Sequence, residues 1–80
     1  MMLSLTTHFE ERWKERVGEP VPTAREVEAM IRESAKIQKC QDLLTIRGRQ
    51  IRALALYWHK ESGLIFKVDE KRKKVVTVLN

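Results

Sequence analysis

One cysteine, two prolines and three glycines stand among 80 residues. Cys40 alone permits no internal disulfide, which excludes a disulfide-stapled secreted fold. So little glycine and proline excludes a linker-rich or low-complexity chain. The longest apolar run, Ala53-Leu54-Ala55-Leu56-Tyr57-Trp58, is strand-sized and far short of the roughly 20 residues of a membrane span. The opening Met1-Met2-Leu3-Ser4-Leu5 lacks the basic flank and apolar length of a signal peptide, so a cytoplasmic location without membrane association is expected. His8 and His59 are far apart, and neither HxxxH nor CxxC occurs, so no metal or cofactor is expected. A Gly-rich phosphate loop and a GxSxG elbow are also missing.

What is present suits a folded chain: 42% hydrophobic and 34% charged residues. Eighty residues hold one core, so residues 1–80 are read as a single domain. The net charge of +5 is unevenly placed. Residues 1–39 carry seven Lys/Arg and seven Asp/Glu, whereas residues 40–80 carry nine against four, which is the whole excess. A basic second half points to an acidic partner, nucleic acid or an acidic protein segment, although solubilising lysine alone gives the same count.

Thr7-His8-Phe9-Glu10 has the form of a capping box, and Phe9, Trp13 and Val17 recur on one helical face, which predicts a first helix over about 8–17. Thr23-Ala24-Arg25-Glu26 repeats the signature. Ala24, Val27, Met30, Ile31, Ala35 and Ile37 then predict a second helix over 24–39. From Cys40 the pattern alternates, predicting strands at 43–46, 51–58, 64–69 and 75–79, with an additional edge strand at 3–5. Arg47-Gly48-Arg49 reads as a turn in which Gly48 takes positive φ.

Short connections predict an antiparallel meander, so the expected fold is α+β, two N-terminal helices on one face of a four- or five-stranded antiparallel sheet. A three-residue loop Glu61-Ser62-Gly63 pairs Trp58 with Phe66, and a five-residue loop after Asp69 pairs Val68 with Val76 and Phe66 with Val78. The predicted core is then Phe9, Trp13, Val27, Ile31, Leu54, Leu56, Trp58, Phe66, Val68, Val76 and Val78. A four-residue loop is disfavoured at this level, because it sets Lys67 opposite Leu56 and brings charge into the apolar layer.

Two constellations carry candidate chemistry. His8, Arg12 and Arg16 recur every four residues, about 6 Å apart along a helix, and suit a phosphate or carboxylate because guanidinium donates in a planar fork. The two arginines can equally pair with Glu10, Glu11 or Glu15. On the expected outer sheet face, Tyr57, His59 and Lys67 lie on neighbouring strands, with Arg47, Arg49 and Arg52 near one end. Metal-independent RNA cleavage needs a base for the 2′-hydroxyl, cations on the phosphate and an acid for the leaving oxygen, and these residue types supply them. The Lys71-Arg72-Lys73-Lys74 run suits phosphate contact without sequence readout, or a solvated loop. Cys40 is expected to be packed rather than reactive.

The order His8-x3-Arg12-x3-Arg16, a second helix, then strands ending Val75-Val76-Thr77-Val78-Leu79 resembles a family of small bacterial and phage domains related to the BrnT/RelE-like toxin fold, over about residues 5–79. The resemblance implies a ribonuclease, ribosome-dependent or free, held in check by an antitoxin-like partner. Arg49, Arg52, Tyr57, His59 and Lys67 are of the types such sheets carry. Fold alone does not give function. A non-enzymatic module that binds protein or nucleic acid, and a structural subunit of a phage or mobile element, therefore stand beside the RNA-directed reading.

Overall fold

The computed structural model describes residues 2–46 and 48–80, and for 41–46 and 49–52 the backbone path. The chain forms β1 (Ser4–Leu5), α1 (Thr7–Arg16), α2 (Ala24–Arg32), β2 (Ala35–Gln38), β3 (Gln41–Ile46), β4 (Arg49–Ala53), β5 (Ala55–His59), β6 (Leu64–Asp69) and β7 (Lys74–Leu79). Five strands make one sheet in the order β1-β7-β6-β5-β2, while β3 and β4 form a separate hairpin. The fold is α+β. The sheet is mixed rather than antiparallel, because β1 runs parallel to β7, with Ser4 N–H donating to the Lys73 carbonyl at 3.0 Å and Thr6 N–H to Val75 at 3.2 Å.

Each helix is set by its first turn. In α1 the cap is Thr6, one residue before the expected Thr7: its hydroxyl accepts from Phe9 N–H at 3.0 Å and donates to the Val76 carbonyl at 2.9 Å. The second bond decides between the two threonines, since only Thr6 continues the β1 ladder beside β7. In α2 the expected capping box forms, with Thr23 N–H on Glu26 at 3.0 Å and Glu26 N–H on Thr23 Oγ1 at 3.2 Å.

Helix α2 ends at Arg32, not near residue 39. Ser34 closes it, its amide donating to Ile31 at 3.0 Å and its hydroxyl to Met30 at 2.7 Å. The segment expected to continue the helix is β2, paired with β5 through Ala35↔Trp58 and Lys36↔Tyr57. Apolar residues spaced for a helix yield here to an open sheet edge, where the same backbone groups find partners. The strand expected over 51–58 is likewise two strands, β4 and β5, broken at Leu54.

Register is the largest correction. A four-residue loop, 60–63, joins β5 to β6, so Tyr57 faces Phe66, Trp58 faces Ile65 and Leu56 faces Lys67. This is the alternative disfavoured from sequence. Its cause is local: the Ser62 hydroxyl lies 2.7 Å from His59 Nδ1 and accepts from Leu64 N–H at 3.2 Å. Gly63, at φ +76°, donates to the His59 carbonyl at 2.9 Å and occupies a left-handed position that a side chain would strain. Between β6 and β7 the expected Phe66↔Val78 pair forms, but a bulge moves the partner of Val68 from Val76 to Val75.

One step of register exchanges the two faces of β5. Helices α1 and α2 both cover the face carrying Ala55, Phe66, Val68, Val75 and Val78, and they bury Phe9, Trp13, Val27 and Ile31 against it. Phe9 packs between Trp13 and Phe66, with ring centroids 5.9 and 6.3 Å away. Of the predicted core, Leu54, Leu56 and Val76 are only half-buried and Trp58 is 39% exposed; Ala55, Leu64 and Val75 take their places. Cys40 packs, half-buried, against the core margin.

Candidate functional site

Neighbouring strands β5 and β6 place Trp58 and Lys67 on the sheet face turned away from both helices. Ladder partners lie on the same side, so one row across this face reads Ala35, Trp58, Ile65, Leu79 and the next reads Leu56, Lys67, Thr77. Trp58 and Lys67 are diagonal neighbours, within reach of long side chains. An exposed indole with a lysine at the diagonal position of the next strand suits a stacking platform with a cation nearby.

Tyr57 and His59, one residue to either side of Trp58, point to the helix-covered face. The expected convergence of Tyr57, His59 and Lys67 therefore does not occur, because the four-residue loop leaves Lys67 on the other face. Each of the first two has its own partners. Tyr57 donates to Glu70 Oε2 at 2.8 Å, Lys36 Nζ donates to Glu70 Oε1 at 2.8 Å, and that ammonium lies 5.5 Å from the Tyr57 ring centroid. The Lys36 hydrogen bond holds the Glu70 carboxyl below the usual range, against an opposing desolvation, and the Tyr57 bond adds to it. Burial, then the Glu70 carboxylate, pushes the Tyr57 phenol up. The phenol thus stays protonated and donates; it is not prepared to abstract a proton.

His59 is buried at 6% exposure beneath the β5–β6 loop. Its Nε2 lies 3.3 Å from Glu33 Oε2, just past the end of α2, and Nδ1 lies 2.7 Å from Ser62 Oγ.

The α1 stripe is divided in use. Arg12 pairs with Glu15 at 2.7 Å, as the pairing alternative had it, and Arg16 donates to the Val78 carbonyl on β7. His8 is exposed on the same helix. Arg47 lies outside the described residues; Arg49 and Arg52 are on β4, opposite Ile46 and Asp42, with their side chains outside those described. The basic residues after β6 form an exposed tip over 71–73. There Arg72 N–H donates to Asp69 at 3.2 Å, and Lys73 takes φ 55°.

Sequence reasoning missed Lys36, Glu70, Glu33, Glu61 and Ser62. Lys36 falls in the segment whose spacing predicts a helix, and Glu33 is 26 positions from His59, so neither carries a spacing signal. His59-x-Glu61 and the loop serine were the only legible hints.

No protein family, no curated protein and no solved structure matches the chain.

Proposed function

We propose that the protein is an RNA-binding domain of the RelE/BrnT-like toxin class, which holds single-stranded RNA on the sheet face turned away from the helices. The observation that carries this reading is Trp58, 39% exposed in mid-sheet and diagonal to Lys67. Exposing a tryptophan there forgoes burial of one of the largest apolar side chains, and base stacking on it offers about 1–3 kcal/mol per base in return. Lys67 supplies a cation on that face. From Ile65, opposite Trp58, to Asp69, where the basic tip begins, is about 13 Å of strand. The whole +5 lies in the half of the chain that includes this face and the β3–β4 hairpin. Binding rather than cleavage is the activity proposed, since Tyr57 and His59 face away from Lys67.

Tryptophan fluorescence tests the reading, because Trp13 is buried and Trp58 is not. Single-stranded RNA should quench emission, and Trp58→Phe should remove the quenching while leaving the fold intact. RNA binding that leaves Trp58 emission unchanged would place the site elsewhere.

A second reading has its own observation. Ile37, 53% exposed, lies on β2 at the sheet edge, next to the row of Trp58, Ile65 and Leu79. An antitoxin-like partner adding a strand along β2 and laying apolar side chains on that row fits the same face. Protection of β2 amides from hydrogen exchange by a co-purified partner, but not by RNA, is the result expected from that reading.

A further inference from the structure

We propose that Glu33, His59 and Glu61 form a binding site for a divalent transition-metal ion of the zinc type. One ligand atom from each lies within 4.8 Å of the other two. Glu33 caps the C-terminus of α2, His59 ends β5, and Glu61 belongs to the loop that follows. They line a cavity of about 180 Å³ together with Lys60.

The His59–Glu33 contact fits a coordination edge as well as an ion pair. At 3.3 Å it is longer than an ordinary N–H···O bond. Two ligands each about 2.0–2.1 Å from a tetrahedral ion stand about 3.3 Å apart, so the same distance suits an edge of a zinc coordination sphere. The ring is also oriented for it. With its proton on Nδ1, donated to Ser62 Oγ across 2.7 Å, the ring turns the Nε2 lone pair toward Glu33. Ser62 Oγ has a second lone pair for Leu64 N–H at 3.2 Å, and its own hydrogen points to the His59 carbonyl at 3.5 Å. In the other tautomer Ser62 Oγ–H donates to Nδ1 over the same 2.7 Å and Nε2–H donates to Glu33 at 3.3 Å; a bound ion selects the first tautomer by taking the Nε2 lone pair. A histidine whose second nitrogen is held by an outer partner is the usual arrangement at metal sites.

Charge agrees with geometry. Two carboxylates and a neutral imidazole balance a 2+ ion. The partial negative charge at the C-terminus of α2 adds to the attraction, and water completes the sphere. Imidazole selects zinc-like ions over magnesium or calcium. Glu61 is exposed, and its carboxylate starts within 4.8 Å of the other two ligand atoms. A bound ion would tie the end of α2 to the β5–β6 loop.

Zn²⁺ titrated into the purified full chain, followed by calorimetry and thermal unfolding, tests the site. One ion per chain and a rise in Tm are expected. Because Glu33 and Glu61 are exposed, Glu33→Gln and Glu61→Gln should fold normally and each weaken Zn²⁺ affinity at least about tenfold. Ser62→Ala should weaken it by about 10–100-fold, as loss of an outer-shell partner does. Nitrogen-15 spectra should show His59 with its proton on Nδ1 and its Nε2 resonance moved by the ion. Affinity unchanged in both glutamate variants, or abolished by His8→Ala or Cys40→Ser, overturns the assignment.

Discussion

Tyr57 donates its phenolic hydrogen to Glu70 at 2.8 Å, and so joins the middle of β5 to the tip between β6 and β7. Lys36 holds the other carboxylate oxygen from β2, so one carboxylate links three parts of the sheet. Its pH dependence follows. The Glu70 carboxyl is held down chiefly by Lys36, so its contribution is present above the unfolded value of about 4.3 and is lost as pH falls through the lower folded value. Lys36 is raised by the Glu70 hydrogen bond, and Tyr57 by burial. Their contributions are complete below about 10 and are lost as pH rises through their higher folded values. Glu70→Gln should therefore cost about 1 kcal/mol at neutral pH, kept small by the exposure of Lys36. Thermal unfolding from pH 3 to 7 should show the gap to the parent narrowing below about pH 4. A constant gap would mean that the link is not ionic.

The observed register separates two large aromatic residues. Phe66 is fully buried, so Phe66→Ala should cost about 3–5 kcal/mol, enough to unfold so small a domain, and Phe66→Leu keeps the effect measurable at about 1–2 kcal/mol. Trp58 lies on the open face, and Trp58→Ala should cost only about 1 kcal/mol. Urea unfolding of the three variants checks this order. A larger loss at Trp58 than at Phe66→Leu would return Trp58 to the core.

The two helix faces were legible because Phe9, Trp13, Val27 and Ile31 repeat at helical spacing with charge opposite them. All four are buried. The strand faces were not, because β5 is apolar at nearly every position. Leu56 and Trp58 are as suitable for a core as Ala55 and Tyr57, so alternation could not choose between them. The choice was made by the hydrogen bonds of Ser62 and His59 in the loop, which composition does not reveal. The site follows the register: a shift of one residue is all that separates Tyr57 and His59 from the face of Lys67. β2 was hidden for a related reason, as 35–38 carries a helical apolar pattern whose strand partner, β5, lies some 20 residues on.

Helix α1 offers a direct check on how its first turn is held. The Thr6 hydroxyl bonds both the helix amide of Phe9 and the carbonyl of Val76, whereas Thr7 is exposed in the first turn. Thr6→Ala should cost about 1–2 kcal/mol, and Thr7→Ala should stay within about 0.5 kcal/mol of the parent. Equal losses from the two would move the cap to the position expected from the sequence alone.

The excess charge of residues 40–80 makes a separate statement about RNA. Each phosphate neutralised on a single strand adds about −0.7 to the slope of log affinity against log salt. Arg49 and Arg52 belong to β4 of the β3–β4 pair, Arg47 precedes them in sequence, and Lys71, Arg72 and Lys73 belong to the tip after β6. Replacing the first three together by Gln should lower the slope by about 2 if that hairpin lies along the strand held at Trp58, and replacing the second three should do the same if the tip does. Lys67→Gln should lower it by about 0.7 in either case, since Lys67 shares the face of Trp58. Oligonucleotide binding measured between 50 and 200 mM salt distinguishes the two paths. A slope that none of the three replacements alters would show that the basic half of the chain serves solubility or a protein partner, and would leave the row of Trp58, Ile65 and Leu79 to the strand-adding partner.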